Sequence, residues 1–217
     1  MKPAMSVPLP TVVIGAGGHG KVILEVLLEA GIEVIAVVDS DTGRHGTTLL
    51  GVPVVGGDQE LQRWRPQDIL LANGIGSTGQ RHRRHLFERM KAAQYRFATI
   101  IHPSAVIGRE AMIAEGGQVM AGAVLQPGVL LGRNAIVNTG ARIDHDCVIG
   151  DHCHVAPGAV LCGGVRVDLD AHVGAGAVII QNMVIGEGAL VAAGAVVVRP
   201  VSAGGRVVGV PAKEMGS

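Results

Sequence analysis

The chain has 217 residues with 18 basic and 18 acidic side chains, so its formal net charge is zero and no global field favours nucleic acid or an anionic membrane. Hydrophobic residues make up 48% of it, yet the aromatic residues are one Trp, one Tyr and two Phe, and there are 33 glycines. This composition excludes a disordered chain, and a core built almost without rings must be narrow and filled with aliphatic side chains.

The first hundred residues alternate short aliphatic runs with helical patterns, which predicts a small parallel α/β sheet. Strands are expected at Thr11–Ile14, Glu33–Val38, Val52–Val55, Ile69–Ala72 and Phe97–Ile101. Helices are expected at Lys21–Ala30, which Gly31 ends, near Asp58–Arg63, and over about Gln80–Ala93. The last helix has an apolar stripe, so its arginines are expected to form a solvated face. Residues 1–100 are thus predicted to form a Rossmann-like domain.

A glycine-rich loop, GAGGHG at residues 15–20, lies between the first predicted strand and helix and fits G-x-G-x-x-G. Such a loop brings backbone N–H groups to a phosphate, and Asp39 at the tip of the second strand can meet a ribose hydroxyl or a base. The alternative is a tight turn whose glycines only allow close packing. A complete dinucleotide-binding domain normally contains two such strand–loop–helix halves, and about 100 residues leave room for only one. The loop therefore favours a nucleotide-phosphate site over a nicotinamide site. The candidate residues are Gly15, Gly17, Gly18, His19, Gly20, Asp39 and, in a second loop at Asn73–Ser77, Asn73.

After residue 104 the period of the sequence changes to six. From Ala105 to Pro200 the chain divides without a gap into six-residue units, in which the third position is always Ile, Val or Leu and the first is most often Ala. Such repeats build a parallel β-helix, in which each short strand pairs with the coils above and below. Third-position side chains are expected to point into the prism, where small first-position residues leave room for them. The sequence therefore predicts a solenoid domain over residues 101–217.

Three cysteines lie in the repeats, an odd number without C-x-x-C spacing. Of the three, Cys147, Cys153 and Cys162, the first two are expected to be inert thiols at inward positions. The simple interpretation is a reduced, cytoplasmic protein. No apolar run reaches the ~18 residues that span a bilayer, and the start, Met1–Met5, lacks the core of a signal peptide. A cytoplasmic protein without a membrane span is therefore expected.

Histidines concentrate in the repeats, and His145 stands between Asp144 and Asp146 in the turn of its unit. A neutral imidazole beside a carboxylate is a competent general base near pH 7; the alternative is a surface histidine in a polar turn. His154 and His172 are 18 residues apart, so they are expected to stack one coil apart, at roughly 5 Å. His145 and His154 are half a coil apart, so they are expected on different sides of one chain and share a site only across a subunit boundary.

A zinc site is another interpretation of these histidines. Some hexapeptide solenoids resemble γ-class carbonic anhydrases, which hold zinc with three histidines between subunits, and His145, His152 and His172 are the ligands to consider. The carboxylates beside His145 and the attached α/β domain have no role in that scheme, so no metal is expected.

Six motifs together resemble bacterial nucleotide-sugar N-acetyltransferases, the enzymes of bacillosamine and perosamine synthesis, with sialic-acid O-acetyltransferases as close relatives. They are GAGGHG at 15–20, HPSA at 102–105, NTG at 138–140, DHDC at 144–147, HVAPG at 154–158 and GVPA at 209–212. The resemblance covers about residues 11–213. It implies a left-handed parallel β-helix with three units per coil, and a homotrimer with acetyl-CoA in the clefts between neighbouring β-helices.

The resemblance also implies roles for single residues. The general base maps to His145 and the acid beside it to Asp146, where some family members carry Glu. The resemblance adds Asn138 to the residues of the nucleotide-sugar site. Acetyl-CoA contacts map to His154 near the thioester carbonyl, to the backbone of Gly163, Ala175 and Ala193, and to Lys213 at the end of the CoA channel.

The implied reaction is direct acetyl transfer to a nucleotide-linked amino-deoxy sugar in surface-glycan synthesis. The 4-amino nitrogen attacks the thioester, His145 removes its proton beside Asp146, and His154 or a backbone N–H holds the developing oxyanion. Two alternatives stay open: a sialic-acid-type sugar O-acetyltransferase, and a non-catalytic solenoid that binds a nucleotide sugar. The sequence does not distinguish a UDP-linked from a GDP-linked sugar.

Overall fold

The computed structural model describes residues 9–76 and 80–215. The Met1–Met5 start and Ser77 of the predicted second loop lie outside these residues. The chain divides into two compact units, the first ending at Ala98 and the second beginning at Thr99.

A six-stranded sheet forms the centre of the first unit. Its strands are β1 (Thr11–Ile14), β2 (Val34–Val38), β3 (Thr48–Leu49), β4 (Val52–Gly56), β5 (Leu70–Asn73) and β6 (Arg96–Phe97). Their order is β3-β4-β2-β1-β5-β6, and all neighbours are parallel except β3 and β4. The central strand β1 is buried along its whole length, which is why it reads as an unbroken aliphatic run rather than an alternating one. The predicted parallel α/β sheet is confirmed.

Two α-helices and two short 3₁₀ helices complete the unit. They are α1 (Gly18–Glu29), α2 (Gln80–Ala92) and the 3₁₀ helices Thr42–Arg44 and Asp58–Arg63. α1 begins before the predicted start at Lys21, because its first turn is built from glycines and a histidine that carry no apolar periodicity. Gly31 follows the end of α1 with a φ of 69°, the left-handed conformation that commonly ends helices at glycine.

The prediction of a solvated arginine face on α2 is wrong for one residue. Arg83 is fully buried, whereas Arg81 is exposed and Arg84 pairs with Glu88 at 2.8 Å. Arg83 precedes the buried Leu86 by three residues, and residues at that spacing share one face of a helix. The apolar stripe of α2 therefore includes this arginine.

The second unit is a triangular parallel β-helix, whose three sheets we call face 1, face 2 and face 3. Face 1 contains β7 (Ile100–Ile101), β10 (Gln118–Val119), β13 (Ile136–Val137), β16 (His154–Val155), β19 (His172–Val173), β22 (Leu190–Val191), β24 (Arg206–Val208) and β25 (Lys213–Glu214). Face 2 contains β8 (Val106–Ile107), β11 (Val124–Leu125), β14 (Arg142–Ile143), β17 (Val160–Leu161), β20 (Val178–Ile179) and β23 (Val196–Val197). Face 3 contains β9 (Met112–Ile113), β12 (Leu130–Leu131), β15 (Val148–Ile149), β18 (Arg166–Val167) and β21 (Val184–Ile185). The chain visits the three faces in turn, and we name the corners 1–2, 2–3 and 3–1 after the faces they join.

One predicted strand is divided between the two units. The run Phe97–Ile101 was assigned to a single strand, but Phe97 ends β6 in the first unit and Ile100 begins β7, which pairs with β10 on face 1. A continuous apolar run does not reveal this break, because strands of both units bury aliphatic side chains.

The predicted inward positions are confirmed. Third-position side chains from Val119 to Val197 are all buried, and on face 1 they form a column of valines spaced by 18 residues. Cys147 and Cys153 are buried at first positions, and burial raises the pKa of the Cys147 thiol to about 11. A thiol with that pKa is unreactive near neutral pH, as expected.

Each corner of the solenoid turns on the sixth residue of a unit. From Glu110 to Gly194 every sixth-position residue has a positive φ, between 52° and 78°. Glycine adopts this conformation without strain, and Asn and Asp tolerate it better than other residues. Asp146 is one of the non-glycine turn residues, with a φ of 58°.

Candidate functional site

The first unit has a cavity of about 450 Å³ at the carboxyl edge of its sheet. The parallel strands β1, β2 and β5 end side by side, so the loops after them meet at the edge where parallel α/β sheets bind ligands. The predicted nucleotide-binding residues that line the cavity are Gly15, Gly17, Gly18, His19 and Asp39. Gly20 and Asn73 do not line it, whereas Asp58 and His82 do, without having been predicted.

The glycines of the loop divide into two groups with different physical roles. A Cβ on Gly20 would lie 1.8 Å from the Gly15 carbonyl oxygen, so Gly20 lets α1 pack directly on the loop. A Cβ on Gly17 or Gly18 would meet nothing within 4 Å, and no side chain caps α1 at Gly17. Close packing therefore explains Gly20, while Gly17 and Gly18 leave the positive end of the helix open to an anion.

Asp39 holds the glycine loop in place. Its Oδ2 accepts a hydrogen bond from the Ala16 N–H at 2.5 Å, and its Oδ1 accepts one from the Asp41 N–H at 2.8 Å. From the other side, Arg44 donates to the Ala16 carbonyl oxygen at 2.8 Å. Two side chains thus hold the peptide groups around Ala16. The position of Asp39 at the tip of a strand was predicted from the sequence, whereas the contact of Arg44 was not.

Asn73 supports the second loop from within the protein. It is buried, its Nδ2 donates to the Arg83 carbonyl oxygen at 3.1 Å, and its Oδ1 accepts from the Ile75 N–H at 3.2 Å. Both contacts fix the backbone around the cavity, so Asn73 acts on the cavity through Ile75 rather than by facing a ligand.

In the second unit, His145 and Asp146 form a hydrogen-bonded pair at corner 2–3. His145 Nδ1 lies 2.8 Å from Asp146 Oδ2, and the His145 N–H donates to Asp144 Oδ1 at 2.8 Å. A carboxylate only accepts, so Nδ1 carries the proton and Nε2 is the basic nitrogen of the neutral ring. Both side chains are exposed, which leaves Nε2 accessible.

The electrostatic surroundings of His145 make it a stronger base. The hydrogen bond to Asp146 raises the pKa of the His145 imidazole above its ordinary value of 6.5, and the charge of Asp144 raises it further. Both carboxylates stabilise the imidazolium that forms when Nε2 takes a proton.

The His145 ring lies against the backbone of Gly163, on the next coil of the same corner. A Cβ on Gly163 would lie 2.5 Å from His145 Nε2 and 2.7 Å from Cε1, closer than side-chain atoms approach one another. Gly164 N–H donates to the His145 carbonyl oxygen at 2.9 Å, which fixes the two turns together. Only glycine at residue 163 leaves room for this ring position.

Asn138 and His154 form a second polar pair. Asn138 Oδ1 accepts from the Thr139 N–H at 2.8 Å, so the Nδ2 group is the one directed at His154 Nε2, 3.2 Å away. His154 is 3% exposed and stacks edge-on with His172 at 5.0 Å between ring centroids, as the 18-residue spacing predicted. His154 Nε2 therefore accepts from Asn138 in this structure.

The predicted base and the predicted acetyl-CoA residues lie at different places along one solenoid. His145 and Gly163 are at corner 2–3, whereas Ala175 and Ala193 stack on adjacent coils at corner 1–2, where Gly194 N–H donates to the Ala175 carbonyl oxygen at 2.9 Å. Asn138 shares corner 1–2, and His154 precedes that corner on face 1. The prediction that His145 and His154 face different sides of one chain is confirmed. Lys213 is exposed in the terminal hairpin of β24 and β25.

The fifth residues of the units lie at the corners, and side chains accept the amide N–H of several of them. At Arg133 the acceptor is Asp151 Oδ1 on the next coil, at 2.7 Å. At His145 and Thr139 the preceding Asp144 and Asn138 accept the N–H through Oδ1. The three predicted backbone contacts are also fifth-position residues, Gly163, Ala175 and Ala193, preceded by Cys162, Gly174 and Ala192. Within the described residues these three amides donate to no acceptor, so they suit a ligand that follows the prism axis.

Within residues 9–76 and 80–215, no group of three His, Cys, Asp or Glu side chains is arranged to hold a metal ion. His145 and His152 lie at different corners, 2–3 and 3–1. Neither helix of the described ranges is long and apolar enough to cross a bilayer.

Comparison with known proteins identifies relatives of both units. Residues 11–90 match the PglD N-terminal domain, and residues 128–163 match the bacterial transferase hexapeptide, six repeats. The acetyltransferase domain of PglB from Neisseria gonorrhoeae FA1090, solved with acetyl coenzyme A, is 36% identical with a TM-score of 0.89 over 96% of this chain and 100% of that chain. PerB from Caulobacter crescentus, solved with CoA and GDP-perosamine, is 41% identical with a TM-score of 0.89 over 95% and 97%.

A curated relative matches over a shorter range. UDP-N-acetylbacillosamine N-acetyltransferase of Bacillus subtilis (strain 168) is 37% identical over 115 residues, which are 50% of each protein. The match thus spans about half the length of that relative.

The fold and these matches define a hexapeptide-repeat protein of the acetyltransferase class, with a Rossmann-like α/β domain before a left-handed parallel β-helix. More narrowly, the chain belongs to the same family as the PglB acetyltransferase domain and perosamine N-acetyltransferase. The predicted family and the predicted handedness of the solenoid are confirmed.

Proposed function

We propose that the chain transfers the acetyl group of acetyl-CoA to the amino group, at C4, of a nucleotide-linked amino-deoxy sugar. The observation that carries this proposal is the pair at corner 2–3, in which Asp146 holds Nδ1 of His145 at 2.8 Å and leaves Nε2 as an accessible base. The family relatives solved with acetyl coenzyme A and with GDP-perosamine support the choice of both substrates.

The bonds and protons of this reaction balance without an acyl-enzyme. The amine lone pair forms the C–N bond, the C–S bond breaks, and CoA leaves as its thiolate. The ammonium proton passes to Nε2 of His145, where Asp146 stabilises the imidazolium, and then neutralises the thiolate. A neutral amine is already a good nucleophile, so no covalent intermediate on the protein is required.

A homotrimer would complete the site. If corner 1–2 of one subunit faces corner 2–3 of the next, the amides of Ala175 and Ala193 line one wall of the cleft and His145 with Gly163 the other. Asn138 gives only one of its two amide hydrogens to His154, so the second is a donor for the developing oxyanion. In this arrangement His154 is a positioning residue for Asn138, and Lys213 meets the far end of acetyl-CoA.

The nucleotide of the acceptor occupies the cavity of the first unit in this proposal. The amides of Gly17 and Gly18 at the start of α1 receive the diphosphate, because the positive end of a helix favours anions. Asp39 keeps the loop in its binding conformation. We place the reaction in the cytoplasm, where acetyl-CoA is available and the cysteines stay reduced.

The test is a thioester-consumption assay on the full chain with a panel of UDP- and GDP-linked 4-amino sugars and with free sialic acid. We expect turnover with at least one nucleotide-linked amino sugar and none with sialic acid. Turnover with sialic acid alone would replace the proposal by sugar O-acetylation, and failure of the protein to bind acetyl-CoA in calorimetry would favour a binding scaffold.

The pH dependence of catalysis follows from the raised pKa of His145. The base must be unprotonated, so kcat/KM falls as the pH drops through a pKa above 6.5. Replacing Asp146 by Asn removes the main cause of the raised pKa, so the acid limb of the profile shifts to lower pH. The measurement is kcat/KM against pH for both proteins, and an unshifted limb in Asp146→Asn would assign the limb to another group.

Asp39→Ala is expected to raise the KM for the nucleotide sugar about tenfold or more, because the charge-assisted bond to the Ala16 N–H is lost. kcat and the KM for acetyl-CoA should stay within about twofold of their original values. Asp68→Ala, which removes a surface carboxylate paired with Arg65, is the matched control. An unchanged KM in Asp39→Ala would move the nucleotide site away from this loop.

A further inference from the structure

Three strand ends lie side by side at the carboxyl edge of the sheet in the first unit. Gly15 N–H donates to the Val38 carbonyl oxygen at 2.7 Å, and Asp39 N–H donates to the Gly56 carbonyl oxygen at 2.8 Å. The ends of β1, β2 and β4 are therefore joined in that order, and neighbouring strands lie about 4.8 Å apart. The residues after all three ends line the cavity of about 450 Å³, so an elongated ligand can extend along this edge.

Asp58 lies at the β4 end of this edge. It follows the last residue of β4 by two positions and lines the cavity, with its side chain 30% exposed. Its Oδ2 accepts a hydrogen bond from Nη2 of Arg89, whereas its Oδ1 accepts none from the residues that the structure describes. Arg89 therefore fixes the carboxylate through one oxygen and leaves the other as an acceptor for a ligand.

The two ends of this edge suit different parts of a nucleotide. The amides of Gly17 and Gly18 at the start of α1 favour an anion, whereas the carboxylate of Asp58 repels one. A diphosphate held by these glycines brings the ribose to Asp39, because an acidic residue at the end of the second strand is the usual ribose contact in such sheets. The base then lies beside Asp58, so the order of groups in a nucleotide matches the order of the strand ends.

A carboxylate distinguishes between the common bases. Guanine presents two adjacent donors, N1–H and N2–H, and these match a carboxylate because its two oxygens only accept. Uracil presents one donor, N3–H, which lies between two carbonyl oxygens that the carboxylate repels. Adenine and cytosine each present one donor beside an acceptor nitrogen. A carboxylate in the position of Asp58 therefore favours guanine.

We propose that Asp58 recognises the base of the acceptor, and that the acceptor is a guanosine-diphosphate-linked amino sugar. The inference rests on the proposed acetyl transfer and deepens it by naming the nucleotide. Oδ1 of Asp58 accepts from one guanine donor, and the second lone pair of Oδ2 accepts from the other. Arg89 is a positioning residue for this carboxylate.

Calorimetry with GDP, IDP and UDP on the unaltered full chain is the first test. Inosine differs from guanosine only by the absent 2-amino group, so IDP removes one of the two donors. We expect GDP to bind about tenfold or more tightly than either IDP or UDP, as for a lost hydrogen bond to a charged acceptor. This comparison needs no variant and is independent of any effect on folding.

Asp58→Asn is the second test, because it keeps the size of the side chain and replaces one acceptor oxygen by a donor amide. We expect its affinity for GDP to fall about tenfold or more, while its affinity for UDP stays within about twofold. Asp68→Asn is the matched control: it alters a carboxylate that pairs with Arg65 at 2.7 Å and does not line the cavity. This control should change the affinity for none of the three ligands.

The outcomes separate the base subsite from the acetyl transfer. Equal affinity of the unaltered chain for GDP and UDP, or a preference for GDP that survives in Asp58→Asn, would overturn the inference. If the chain still acetylates a nucleotide-linked amino sugar in that case, the proposed function stands without this subsite. A preference for GDP that depends on Asp58, without acetylation of any amino sugar, would keep the subsite and remove the proposed transfer.

Discussion

His145→Ala is expected to lower kcat about 10²–10⁴-fold, the range typical of lost general-base catalysis. The variant keeps the cavity of the first unit and the amides of Ala175 and Ala193, so both KM values should change far less than kcat. The measurement is thiol release with saturating acetyl-CoA and a nucleotide-linked amino sugar. Since the His145 side chain is exposed, its removal should leave the thermal unfolding midpoint nearly unchanged.

The control for this experiment is His85→Ala, which removes an exposed imidazole from α2 in the first unit. Its kcat should equal that of the unaltered chain. Near-normal turnover by His145→Ala would exclude this residue as the base, and the mechanism would then need another proton acceptor.

Gly163→Ala is expected to reduce kcat about 10²-fold without touching the base itself. The added methyl group would lie 2.5 Å from His145 Nε2, so the imidazole must leave its position over the turn. A displacement of about 1 Å in a catalytic group can cost that much in rate. The amide of residue 163 is retained, so the KM for acetyl-CoA should change little.

Folding should survive this substitution, because alanine already occupies the equivalent fifth position at Ala175 and Ala193. A double variant identifies the cause of the lost rate. If the methyl group acts by displacing the ring, Gly163→Ala should add almost nothing in the His145→Ala background. A full additional loss in that background would mean that Gly163 acts independently of His145.

The solenoid could be predicted almost to the residue because one short period determines it. Each strand occupies the second and third positions of a unit, so counting in sixes places Val119 inside and predicts that His154 stacks on His172. The same counting separated His145 from His154. Local periodicity was sufficient here because every coil repeats the packing of the coil before it.

The parts that could not be predicted depend on contacts between distant segments. Arg44 reaches the Ala16 carbonyl oxygen from a 3₁₀ helix 28 residues away, and no pattern in either segment indicates the bond. The contact between Asn138 and His154 Nε2 joins residues 16 positions apart, and the sequence pattern does not indicate it either.

The coil length also constrains how such a chain can change during evolution. Removing one six-residue unit before residue 175 would leave aliphatic side chains inside the prism, since any unit fits below any other. It would nevertheless rotate everything downstream by one face and carry the amides of Ala175 and Ala193 to a different edge. Insertions and deletions that preserve function must therefore add or remove whole coils of 18 residues, even though a single six-residue unit could be lost without disturbing the core.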